Sequence, residues 1–94
     1  MNPNLFEAKC VAFLSENYKK ASHEFTVEGG LLGDEKELKY HFEAMKWDLG
    51  FSIDVNNAAE KEKYCVSFSS AKYPVVKCNT LDECFEHIKA VVYK

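Results

Sequence analysis

The spacing of apolar residues changes twice along this chain, and that change limits its fold more than any other feature. Between Asn4 and Lys20 the apolar residues recur every three or four positions, as on one face of a helix. From Ser22 they mostly alternate with polar residues, as in strands with one buried face. From Leu81 the helical spacing returns. The pattern therefore predicts a helix, a series of strands and a second helix.

Both predicted helices begin with a capping sequence. Asn4 can accept hydrogen bonds from the free amides of the first turn, and Glu7 completes a capping box three positions later. Thr80 and Glu83 repeat that spacing before the second helix. The pair Lys19–Lys20 places positive charge at the end of the first helix, where the helix dipole favours it. We therefore expect one capped helix at each end of the chain.

Short runs of alternating residues between the helices predict four strands and a shorter fifth one. In the second run the apolar residues change phase near Ala44, which predicts a β-bulge or a strong twist there. The fifth run is expected to form an edge strand, because Pro74 is tolerated only at its start. We expect these strands at residues 22–28, 37–47, 51–56, 64–69 and 75–78.

Together these elements predict one compact α+β domain that spans residues 1–94. Its sheet is a meander of four or five antiparallel strands, and the N-terminal and C-terminal helices both pack on one face of that sheet. A chain of this length can build one hydrophobic core. The residues expected in that core are Phe13, Phe25, Phe42, Phe51, Ile53, Val66, Phe68, Leu81, Phe85, Ile88 and Val92.

Composition and charge disfavour several functional classes. The chain is 47% apolar and contains few Gly or Pro residues, unlike a disordered chain. No apolar run approaches the ~20 residues that a membrane-spanning helix needs. The net charge is −3 and the basic residues are scattered, which argues against direct binding of nucleic acid.

The N-terminal segment predicts a cytoplasmic protein. Glu7 and Lys9 interrupt the only apolar stretch that could serve as a secretory signal. A reducing compartment favours free thiols, although four cysteines could also form two disulfides in three connectivities. The four cysteines are Cys10, Cys65, Cys78 and Cys84.

Sequence motifs for catalysis or for binding a cofactor or metal were not found. The glycines at 29–30 and 33 lack the Lys-Ser/Thr of a phosphate-binding loop, and no Gly-x-Ser-x-Gly elbow is present. Cys84 and His87 are the strongest candidates for a reactive or metal-binding pair, because they lie three positions apart on the predicted second helix. Their pattern indicates a buried cysteine beside a histidine on the solvent-facing flank. We therefore expect no catalytic residue, no cofactor and no metal.

The remaining candidate for function is a protein-binding surface. Asp34, Glu35 and Glu37 form a short acidic loop, and Glu43 is expected on the polar outer face of the sheet. Trp47 is a possible anchor, because an exposed Trp at a strand end is frequent in interfaces. An acidic surface of this kind indicates a protein partner with a basic surface.

These observations predict a non-enzymatic protein-binding module, and above all an inhibitor that blocks a larger protein. By its size, acidity and fold class the chain resembles phage anti-defence proteins such as anti-CRISPRs, or toxin-immunity proteins. One alternative is a structural homodimer, or one that resembles secretion chaperones. The other alternative is a small enzyme or metal protein that uses Cys84 and His87.

Overall fold

The computed structural model describes residues 2–17, 20–29, 37–45 and 50–92 of the chain. Neither of the helices in this part is long and apolar enough to cross a membrane. In chain order the elements are α1 (Pro3–Asn17), β1 (Ser22–Glu28), β2 (Lys39–Met45), β3 (Phe51–Asn56), β4 (Tyr64–Phe68), β5 (Val76–Cys78) and α2 (Leu81–Val92).

The five strands form one antiparallel sheet in which sequence neighbours are also neighbours in space. This meander between two terminal helices confirms the predicted α+β fold. The described part of β2, which ends at Met45, does not contain the expected β-bulge near Ala44. Ala44 pairs with His23 on one side and Phe51 on the other, and Met45 continues the same ladder opposite Ser22. The predicted apolar phase change involves residues 46–49, which lie outside the described part of the chain.

The first helix begins two residues earlier than predicted. Asn2, rather than Asn4, is the capping residue: its side-chain Oδ1 accepts a hydrogen bond from the Leu5 amide at 2.7 Å. Pro3 then occupies the first helical position, where its missing N–H costs nothing and its fixed φ suits the helix. The helix ends at Asn17, so Lys20 lies beyond it with a positive φ of 62°. Lys19 lies outside the described residues.

The second helix is capped as predicted. The Thr80 hydroxyl accepts a hydrogen bond from the Glu83 amide at 3.2 Å. Glu83 in turn accepts one from the Asn79 amide at 3.1 Å, one residue before the usual partner in a capping box. These two contacts fix the turn between β5 and α2, and so place α2 against β4 and β5.

A single core lies between the two helices and one face of the sheet. The alternation in β2, β3 and β4 places every second side chain in it, which confirms most of the expected residues. Phe25, Phe68 and Phe85 are only partly buried at its margin, and the side chain of Val92 lies outside the described part. The fully enclosed members are Phe6, Cys10, Phe42, Ala44, Ile53, Val66, Cys84 and Ile88.

Candidate protein-binding surface

The face of the sheet opposite the helices is here called the outer face. Its side chains are the polar members of each strand's alternation together with Met45, and all of them are exposed or half-buried. No described helix packs against this face, because both helices contribute their buried residues to the core on the other side. The outer face consists of Ser22, Glu24, Thr26, Glu28, Lys39, His41, Glu43, Met45, Ser52, Asp54, Asn56, Cys65, Ser67 and Lys77.

Two glutamates of the outer face stand directly opposite each other. Glu24 on β1 pairs in register with Glu43 on β2. Like charges in this position repel each other and destabilise the sheet. On the other side of Glu43 the register partner is Ser52, which carries no charge. Among the described residues neither glutamate forms an ion pair, so the repulsion is not compensated there.

Negative charge is concentrated on one half of the outer face. The carboxylates of Glu24, Glu28, Glu43 and Asp54 lie on β1, β2 and β3. The positive charge within this half comes from Lys39, which pairs in register with Glu28. This part of the sheet therefore presents an acidic patch, here defined as those four carboxylates, and such a patch attracts a basic surface through long-range electrostatics.

A side-chain contact between a histidine on β2 and an aspartate on β3 links these two strands at the acidic patch. His41 Nδ1 lies 2.5 Å from Asp54 Oδ1 across the β2–β3 pair. The two side chains are 39% and 48% exposed, so water screens the interaction. They line a shallow cavity of about 290 Å³ together with Thr26, Glu28 and Lys39.

The same cavity brings together the residue types of a nucleophile, a base and an orienting carboxylate. Thr26 is the register partner of His41, and His41 is that of Asp54. Nucleophilic catalysis requires a hydrogen bond between the hydroxyl and the base. No hydrogen bond joins Thr26 to His41 within the described residues, where the His41 ring contacts Asp54.

The structure places only part of the surface predicted from the sequence. Glu43 lies on the outer face as expected, and Glu37 is exposed just before β2. Gly29 has a φ of +89° and leaves no room for a side chain, because a Cβ there would collide with the Glu37 carbonyl oxygen. Asp34, Glu35 and Trp47 lie outside the described residues. Glu24, Glu28 and Asp54 belong to the acidic patch but were not among the predicted site residues.

The Cys84–His87 pair contains the predicted buried cysteine, but its histidine is half-buried instead of lying on the solvent-facing flank. Cys84 is fully buried, and burial together with the neighbouring Cys78 thiol raises its pKa well above the usual range. His87 is half-buried: its ring packs edge-on against Phe68 with the ring centroids 5.7 Å apart, and its Nε2 is buried without a hydrogen-bond partner in the described part. All four cysteines are free thiols. A neutral thiol enclosed in the core is a weak nucleophile and a weak metal ligand.

Comparison with known proteins does not assign this chain to a family. No family model, no curated protein and no solved structure matches the chain. Within the described ranges, no group of three or more His, Cys, Asp or Glu side chains is arranged to hold a metal ion.

Proposed function

We propose that this chain is a small, non-enzymatic protein-binding module that inhibits a larger protein by covering a basic surface of that target. The observation that carries the proposal is the direct opposition of Glu24 and Glu43 on an open sheet face. A lysine or arginine of a partner placed between these carboxylates would turn a repulsion into two attractions. The bound state would thus relieve an unfavourable feature of the free protein.

The size of the outer face supports this role. Five strands spaced about 4.8 Å apart make a platform on the order of 20 Å wide. A standard interface takes about 800 Å² of accessible surface from each partner, which such a platform and its rim can supply. A domain of 94 residues bound in this way would exclude other ligands from the covered surface.

The test is affinity capture from the cell that encodes this chain, followed by mass spectrometry. The wild-type protein is compared with the double variant Glu43→Lys/Ser52→Lys, which adds positive charge at the centre of the outer face. The matched control is Ala58→Lys/Glu60→Lys, which makes the same charge change at exposed positions in the β3–β4 loop. We expect the wild type and the control to retain one partner that the outer-face variant loses.

The captured partner then decides whether the binding is inhibitory. Adding the purified wild-type chain should lower the activity of that partner in a stoichiometric manner, and the outer-face variant should require a much higher concentration. Equal capture by all three proteins would show that the outer face is not the binding surface. An undiminished activity of the saturated partner would contradict inhibition.

A further inference from the structure

The two edges of the sheet differ in how they are protected against pairing with another strand. Natural edge strands are kept short or carry a proline, a lysine or a bulge. At one edge β5 is three residues long and follows Pro74 closely. At the other edge β1 is seven residues long, contains neither Pro nor Lys, and pairs with β2 in an uninterrupted register. Within the described residues β2 is its only strand partner.

The apolar layer of the sheet reaches the edge at β1 and stops there. Phe25 packs against the margin of the core, with its ring centroid 5.9 Å from that of Phe6 and 6.4 Å from that of Tyr40. Val27, on the same side, is 42% exposed although its register partner Tyr40 is only 1% exposed. A further strand beside β1 would therefore place its own apolar side chains next to Phe25 and Val27.

On the opposite side the same edge is acidic. Glu24 and Glu28 point to the outer face and are both exposed, with the uncharged Thr26 between them. Cβ atoms directly opposite each other on paired strands lie about 4.5–5.5 Å apart, within reach of a salt bridge. Basic residues at alternate positions of an added strand would face Glu24 and Glu28, while the intervening positions would face the apolar side.

We propose that β1 binds an extended segment of the partner protein as a sixth strand, and that this segment alternates Lys or Arg with apolar residues. This inference rests on the proposed function, because it names how part of the target is recognised. The exposed backbone groups of β1 supply the affinity and the two-sided pattern of its side chains supplies the register. The charge pattern disfavours a second copy of this chain at the same edge. Two antiparallel β1 strands would gather Glu24 and Glu28 of both copies around one two-fold axis.

The probe is a seven-residue peptide, blocked at both ends, in which four lysines alternate with three valines. A control peptide has the same composition with the lysines and valines in two separate blocks. Both are titrated into the isotopically labelled full-length chain, and the backbone amides are followed by NMR shift and hydrogen exchange. We expect the alternating peptide to shift the β1 amides and slow their exchange, and the block peptide to bind about tenfold more weakly or worse.

The decisive variant is Val27→Lys, which puts an inward-pointing charge on the edge strand and leaves the acidic patch unchanged. Val27 is already 42% exposed, so the fold should tolerate the change, and a thermal melt checks this. The control is Ser67→Lys, which makes the same charge change on β4. We expect Val27→Lys to weaken binding of the alternating peptide by about tenfold or more and Ser67→Lys to leave it within about twofold.

Three outcomes would overturn the inference: shifts confined to residues outside β1, equal binding of both peptides, or a dimer that forms without peptide and is lost in Val27→Lys. The same variants separate this inference from the proposed function in the capture experiment. If Val27→Lys keeps the cellular partner while Glu43→Lys/Ser52→Lys loses it, the outer-face function stands and edge recognition fails. If Val27→Lys loses the cellular partner while Glu43→Lys/Ser52→Lys keeps it, edge recognition stands and the outer face is not part of the binding surface.

Discussion

The two faces of the sheet are built from the same strands but have different physical roles. In β2 and β3, Phe42 and Ile53 are fully buried, whereas the adjacent His41 and Asp54 are close to half exposed. Burial of a large apolar side chain contributes about 1.5–3 kcal/mol to folding, whereas an exposed ion pair contributes about 0–1 kcal/mol. The inner face therefore carries most of the stability of the domain, and the charges of the outer face contribute little to it.

The largest difference between the faces should follow from removing an aromatic ring. Phe42→Ala leaves a cavity in a site with no solvent exposure, and we expect it to lower the free energy of unfolding by about 3–5 kcal/mol. Urea denaturation followed by circular dichroism measures this loss. Ser52→Ala, on the outer face of the neighbouring strand, should change the same quantity by less than about 0.5 kcal/mol. Equal losses in the two variants would show that the sheet does not separate stability from binding.

A smaller difference in stability between the two faces is expected when a cysteine on each face is replaced by serine. Cys84→Ser replaces a buried thiol, next to Cys78, with a hydroxyl that loses its hydration, and should cost about 1–3 kcal/mol. Cys65→Ser makes the same change on the half-buried outer face, opposite Asp54, and should cost less than about 0.5 kcal/mol. Thermal melts of both variants in a reducing buffer compare them directly. A Cys65→Ser loss as large as that of Cys84→Ser would contradict the assignment of the two faces.

The same two faces predict how fast each cysteine reacts with an alkylating reagent. Burial, with a smaller contribution from Glu7, raises the pKa of the Cys10 thiol to about 12, so this thiol stays protonated at mildly alkaline pH. Cys10, Cys78 and Cys84 are all buried, whereas Cys65 is half exposed. Iodoacetamide at about pH 8 should therefore modify Cys65 first, and intact mass should show a single addition before unfolding exposes the others. Simultaneous modification of all four in the folded protein would contradict this burial.

The sequence predicts the fold well where its pattern is complete. Phe51, Ile53 and Val55 alternate without interruption, and β3 lies where they indicate. The start of α1 was predicted two residues too late, because Asn2 and Asn4 are equally good caps by residue type. Pro3 decides between them: it occupies the first helical position, which follows the cap, so Asn2 is the capping residue.

The candidate site was less predictable, because it depends on strand register. Which carboxylate lies next to His41 is fixed by the pairing of β2 with β3, and that pairing depends on the turn that joins them. A one-residue shift would place a different side chain opposite His41, so the sequence alone did not identify Asp54. The exposure of Val27 was also not visible in the sequence, since Phe25 and Val27 have the same spacing as a buried strand.

The smallest predicted effect has the opposite sign and is specific to the outer face. Glu43→Gln removes one of two like charges that stand directly opposite each other, while keeping the size and polarity of the side chain. We therefore expect the variant to be more stable than the wild type by about 0.2–1 kcal/mol at low salt. The gain should shrink at about 1 M salt, because the Debye length there is about 3 Å.

The control Glu60→Gln makes the same change at an exposed position in the β3–β4 loop, and should leave stability within about 0.3 kcal/mol of the wild type. Urea denaturation compares each of the two variants with the wild type at low salt and at about 1 M salt. A loss of stability in Glu43→Gln, or a gain that does not depend on salt, would mean that Glu24 and Glu43 do not repel each other. The charge argument for a basic partner would then no longer hold.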